Sequence, residues 1–182
     1  QYKTDTGLDE PPSVTVWVGD GMVRTVKDWV EEHQGLVWTN SIGVGERLSR
    51  ELKIPYYGAG GADCNGVHIM SHPGGPAVAS VASNGTGRNL QYFWSKNLWL
   101  VSPSEQNLGR AHRPGQPAAE VRNWIYLGCQ EHLNSYKSAS NHKSRFAEEL
   151  QASPQKMRYA ITEMPTAAEL EEQGGMRWQA NP

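Results

Sequence analysis

Apolar positions alternate between two spacings along this chain, and the alternation predicts its architecture. Residues 14–18 read Val-Thr-Val-Trp-Val, a run with strand character. Val23, Val26, Trp29, Val30 and His33 then fall near one side of a helix over residues 22–33, which Gly35 is expected to end. Leu36, Val37, Trp38 and Thr39 form a second strand, and Asn40-Ser41 turns into a helix carrying Val44, Leu48 and Leu52. Residues 54–57 read as a third, short strand, residues 77–82 as a small apolar buried strand, and residues 97–101 as another. A strand is also expected over 121–127. A long helix over 130–150 would follow, with Leu133, Tyr136, Ala139, Phe146, Ala147 and Leu150 as its stripe. Strand–helix alternation of this kind implies an α/β fold, a parallel sheet with right-handed crossovers sandwiched by helices in three layers.

The breaks in the pattern set the boundaries. Residues 1–12 are polar and end in Pro11-Pro12, which suits a lead-in or linker. Residues 58–76 hold Gly58-Ala59-Gly60-Gly61, Asp63-Cys64-Asn65-Gly66 and Pro73-Gly74-Gly75-Pro76, a loop-rich connection with one strand expected at 67–70. Glycines at 58–61 can cradle a phosphate, but turn chemistry is the favoured reading. Ser153-Pro154 and Pro165-Thr166 with Glu169 are helix-start signals, so residues 151–182 read as a helical C-terminal extension to a main domain over 13–150.

Composition narrows the function classes. The 182 residues carry a formal net charge of −2, so nucleic-acid contact would have to come from a local patch. No apolar run approaches a membrane span, and no secretory signal is visible. The expected location is therefore cytoplasmic, or nucleoid or nuclear. The chain opens on Gln1 rather than Met, which suggests a fragment or processed product. Cys64 and Cys129 form no CxxC pair and read as reduced thiols. His68 and His72 lie four apart without a third ligand, so no metal site is expected there.

Candidate chemistry concentrates in residues 80–116. The strand at 77–82 leads into Asn84-Gly85-Thr86-Gly87, a loop whose backbone amides can approach a ligand closely. The strand at 97–101 leads into a helix expected over 102–113. Ser102 is its N-cap, Pro103 its first position and Glu105 the partner in a capping box, with Pro114-Gly115 as the stop. Gln106, Arg110 and Arg113 are spaced by four and then three residues and would share one face, with Leu108 and Ala111 opposite. Arginine presents a planar fork of donors and stays charged, which suits an anion.

At these residues the chain resembles a family. GTGRNLQ followed by QNLGRAHRPGQ is similar to motifs V and VI of superfamily 2 helicases, most closely the Swi/Snf-type branch. GLVWTNS, a helix and IPYYGAG resemble the opening of the second RecA-like domain in such motors, where a buried strand carries motif IV. The resemblance covers about residues 14–150. Residues 58–76 depart from it, since the family usually places a helix and a longer connection there. Arg88 departs as well, standing where the family usually has an apolar residue.

The resemblance implies a RecA-like fold and half an active site. ATP and Mg2+ would be held mainly by a first RecA-like domain, on the same or another chain. No GxxxxGK[ST] or magnesium-holding acid is found here, so the isolated chain is expected to be inactive. Arg110 and Arg113 would be arginine fingers, Gln106 would contact nucleotide or tether the fingers, and Gly87 and Asn89 would lie at the nucleotide. Thr39, Asn40, Ser41, Gly85, Thr86 and Arg88 would meet the phosphates of a nucleic acid, with DNA favoured over RNA. The motif V threonine maps near Val81, so Ser80 or Ser83 would substitute for it. The expected function is the C-terminal motor domain of an ATP-dependent helicase or translocase. The rival reading is a non-catalytic module that binds nucleic acid or protein and retains a helicase-like fold.

Overall fold

The computed structural model describes residues 17, 19–85, 87–101, 103, 105–108, 111, 113–128 and 132–134. Among these residues five strands are seen: β1 Leu36–Thr39, β2 Tyr56–Tyr57, β3 Ala77–Ser80, β4 Lys96–Trp99 and β5 Arg122–Ile125. They form one sheet in the order β2-β3-β1-β4-β5, and every pairing is parallel. The helices are α1 Gly21–His33, α2 Ile42–Leu52, and two single turns, α3 Val81–Asn84 and α4 Glu105–Leu108. The chain is therefore an all-parallel α/β sheet flanked by helices.

The pleat divides the sheet's side chains between two cores. Val37, Val78 and Leu98 point to one face, where Val23, Val26, Trp29 and Val30 of α1 and Leu48 of α2 cover them. Leu36, Trp38, Ala77, Ala79 and Trp99 point to the other, covered by Ile69, Leu90, Trp94 and Leu108. The spacing read from the sequence thus placed both helices correctly. α1 ends on Gln34 rather than Gly35: Gln34 takes the left-handed conformation (φ 51°) and its N–H returns to Val30 O at 2.9 Å. α2 begins as expected, with Ser41 Oγ accepting from Val44 N at 3.4 Å.

The second face is held by polar pins as well as packing. Trp38 and Trp99, opposite each other in β1 and β4, stack with ring centroids 4.9 Å apart and planes 3° from parallel. Each indole N–H then reaches an asparagine on the next strand: Trp38 Nε1 donates to Asn97 Oδ1 at 3.1 Å, and Trp99 Nε1 to Asn123 Oδ1 at 3.0 Å. A buried indole N–H needs such a partner. The connection at 58–76 is anchored similarly. His72 Nε2 faces Gly75 O at 3.2 Å, so it must donate, which leaves Nδ1 to accept from Tyr57 O–H at 2.7 Å. Trp94 Nε1 donates to the same Gly75 carbonyl at 2.9 Å.

The strand expected over 14–18 lies outside the described residues except for Trp17, whose ring lies against the Arg47 guanidinium, 4.2 Å from Cζ, a cation–π contact. Other expected elements differ. Residues 67–70 do not form a strand. Ala62 and His68 make one antiparallel bridge, and Ile69–Ser71 is a 3-10 turn that buries Ile69. The cause is Asp63, whose Oδ1 accepts from Asn65 N at 2.9 Å and Val67 N at 2.8 Å and closes a tight loop. Residues 58–61 take the turn reading, with Gly61 N donating to Gly58 O at 3.0 Å. Most of the helix expected over 130–150, Cys129, and residues 151–182 lie outside the described residues.

Candidate functional site

A parallel sheet brings all strand C-termini to one edge. In open sheets of this class, ligands bind there, beside strands whose following connections leave on opposite faces. β1 meets that condition. It continues into α2 on one face, whereas both its neighbours, β3 and β4, continue into segments packed on the other. The three segments carrying the sequence-predicted residues follow β1, β3 and β4, so the fold brings all three to this edge.

After β1, Thr39 is buried, and its Oγ1 accepts from Ser41 N at 3.1 Å. Ser41 Oγ caps α2, and Ser41 O accepts from Gly45 N at 3.0 Å. Both hydroxyls thus help start the helix as acceptors. Asn40 and Ser41 are exposed at the rim, as is Ile42.

After β3 the chain makes the turn α3 before the glycine loop. Asn84 is fully buried, its Nδ2 donating to Tyr57 O at 2.8 Å and Ser80 O at 3.2 Å. Gly85 is buried too, and its N–H donates to Val81 O at 2.7 Å. A Cβ at Gly85 would lie 2.8 Å from Asn107 Nδ2, so the glycine permits close contact between this loop and α4. Gly87 is exposed in the left-handed region (φ 76°), with no atom within 4 Å of where a Cβ would stand. Asn89 is also exposed. Arg88 turns the other way, toward Ser83, Gly60 and His68. Thr86 lies outside the described residues.

After β4 the helix is shorter than the spacing predicts. α4 holds Gln106 and Leu108, but Ala111 lies in a turn and Arg113 in a bend beyond it. Gln106 and Arg113 are therefore not on one continuous helical face. The reason is Gln116. Its Nε2 donates to Ala111 O and to Trp94 O, both at 3.1 Å, and its Oε1 accepts from Ala118 N at 3.1 Å. The Ala111 carbonyl thus accepts from a side chain in a turn. Leu108 and Ala111 are buried, as their positions in the pattern suggest. Arg110 lies outside the described residues.

Arg113 is half-buried and lines a cavity of about 610 Å³ with Pro114, Gln116, Ala118, Ala119, Glu120 and Val121. The Glu120 carboxyl accepts from Arg122, and that hydrogen bond holds its pKa below the usual carboxylate value. Among the described residues no three His, Cys, Asp or Glu gather around a point that could hold a metal ion, and no helix is long and apolar enough to cross a membrane.

No local pattern marks Gln116 or Asn84 as the residues that fix these loops. Gln116 stood in the quoted motif, but an amide's donors and acceptors gain meaning only once the carbonyls of 94 and 111 are placed. No protein-family model matches the chain, and no curated protein matches it.

Proposed function

We propose that the chain is the second RecA-like domain of a superfamily 2, Swi/Snf-like helicase or translocase. The observation that carries this reading is convergence. Segments resembling motifs IV, V and VI follow three adjacent parallel strands, β1, β3 and β4, and the second and third meet where Gly85 packs on Asn107.

In this reading Asn40, Ser41 and the 85–87 loop form part of a phosphate track, and Gly87, Asn89 and Gln106 lie toward a nucleotide. ATP and Mg2+ would be held mainly by a first motor domain, and ATP would bring the phosphoryl group to be transferred. Arg110 and Arg113 would place their charge and planar donors toward that phosphoryl group. The chain would work inside the cell, on DNA in preference to RNA.

The test uses the 182-residue chain with fluorescent oligonucleotides of unrelated sequence, single- and double-stranded, at two salt concentrations. Phosphate contacts predict weak, sequence-independent binding that falls steeply with salt. ATP turnover by the purified chain alone should stay at background. Strong sequence preference or salt-indifferent binding would overturn the track, and robust turnover would overturn the half-site.

A further inference from the structure

Two features set this chain apart from the pattern it resembles, the loop-rich link at 58–76 and the arginine at 88, and they touch. Arg88 Nε donates to Ser83 O at 3.3 Å and Nη2 to Gly60 O at 2.9 Å, while Nη1 lies against His68 Nε2. Ser83 belongs to α3, just before the glycine loop. Gly60 and His68 belong to the link that follows β2. Among the described residues no carboxylate pairs with Arg88. The guanidinium packs flat on Gly61, where a Cβ would collide with it and where φ is +77°.

The far side of this contact is a built object. Ala62 and His68 bridge, and Asp63 N donates to Val67 O at 2.9 Å. His68 then leads into the turn that buries Ile69. One fork of donors therefore joins two loops at the C-terminal edge of the sheet through the carbonyls of Ser83 and Gly60, with the His68 ring packed beside it. An arginine reaching for a nucleic-acid phosphate would have to give up these partners or turn away from them. A freely solvated arginine would have no reason to meet carbonyls from two loops at once.

We propose that Arg88 is a positioning residue that latches the 58–71 loop to the loop after β3, so that the two present their backbones as one unit. That this unit borders a nucleic-acid track rests on the function proposed above; the latch itself does not.

The experiment compares wild type, Arg88→Ala and Arg88→Lys in the full chain by amide hydrogen exchange and by oligonucleotide binding across a salt series. In Arg88→Ala, exchange should rise about tenfold or more in peptides from 58–71 and stay unchanged in peptides covering β1, the most deeply paired strand. Arg88→Lys should not restore protection, because one ammonium cannot match a planar fork that spans two fixed carbonyls. The salt slope of binding should be the same in all three proteins. If the slope instead falls by about one in Arg88→Ala with loop protection intact, Arg88 is a phosphate contact and the latch is refuted. Unchanged exchange everywhere, or a uniform rise that includes β1, refutes it equally. Should Arg88→Ala not fold, Arg88→Met keeps the apolar stem without the donors and is read on the same peptides. If wild type binds no oligonucleotide, the function proposed above falls, and the exchange data still decide the latch.

Discussion

The two faces of the sheet are covered in opposite ways. On one, α1 and α2 lay apolar stripes over Val37, Val78 and Leu98. On the other, loops and short turns cover Trp38, Trp99 and Tyr57, and side-chain hydrogen bonds from Trp38, Trp94, Trp99 and His72 fix where they lie. Burying apolar area is non-directional, so a helix stripe tolerates small shifts. A hydrogen bond inside the core is directional, and leaving one partner alone is costly. The first face should respond to lost volume, and the second to lost partners.

The largest expected effect is on the helix face. Leu48 is fully buried between α2 and the sheet. Leu48→Ala should cost about 2–5 kcal/mol, the range for large-to-small core changes, read as a lower urea midpoint with an unchanged slope.

The loop face should show the opposite logic. Trp38→Phe keeps much of the ring but leaves Asn97 Oδ1 without its donor, and Asn97 Nδ2 is already buried without a partner. The expected loss is about 1–3 kcal/mol. Adding Asn97→Leu should recover part of it, because the double variant has no stranded polar group. A double variant that is worse than the sum of the singles would show that volume rules this face too.

This contrast also explains what the sequence disclosed. Helical spacing and apolar runs are local, so α1, α2, β1, β3 and β4 were legible, as was the parallel α/β class. The three segments proposed for the site can be named from sequence because their residues are contiguous. What fixes those segments cannot. The Gln116 bonds to Trp94 and Ala111, the Asn84 bond to Tyr57 and the Arg88 bonds to Gly60 and Ser83 depend on which carbonyl ends up beside which side chain. Capping rules predict a helix through 113, but Ala111 lies in a turn whose carbonyl accepts from Gln116, and Arg113 lies in a bend. The glycines at 58–61 were read correctly as turn formers, yet nothing local announced that Arg88 would lie on one of them.

At the boundary between the faces stands Ser41, which caps α2 and lies at the rim of the candidate site. Ser41→Ala should cost about 1 kcal/mol through the lost cap. Ser41→Asp keeps a capping acceptor but adds negative charge, so its stability should stay close to wild type. On the reading proposed here its oligonucleotide affinity should fall. Unchanged affinity in Ser41→Asp would remove this rim from the phosphate track.

The smallest effect divides the faces by pH. Tyr56 and Tyr57 are neighbours in β2 and pack on opposite sides, Tyr56 against the helix face and Tyr57 within the loop face. Burial is the leading cause that raises both phenols above the ordinary value of 10.0; Glu46 adds to it at Tyr56, where a Ser80 hydrogen bond opposes it, and Asp63 adds to it at Tyr57. A raised folded-state pKa means that the folded chain holds these protons more tightly than the unfolded chain. Their contribution is therefore intact below the unfolded value and is lost as pH climbs past it. The urea midpoint should therefore begin to fall as pH climbs past about 10. Tyr56→Phe and Tyr57→Phe should each make that fall shallower, and the double variant shallower still. Tyr57→Phe should also lower stability at neutral pH, because it strands His72 Nδ1, whereas Tyr56→Phe should do so less. Equal neutral-pH losses in the two variants would mean that the loop face depends no more on its hydrogen bonds than the helix face does.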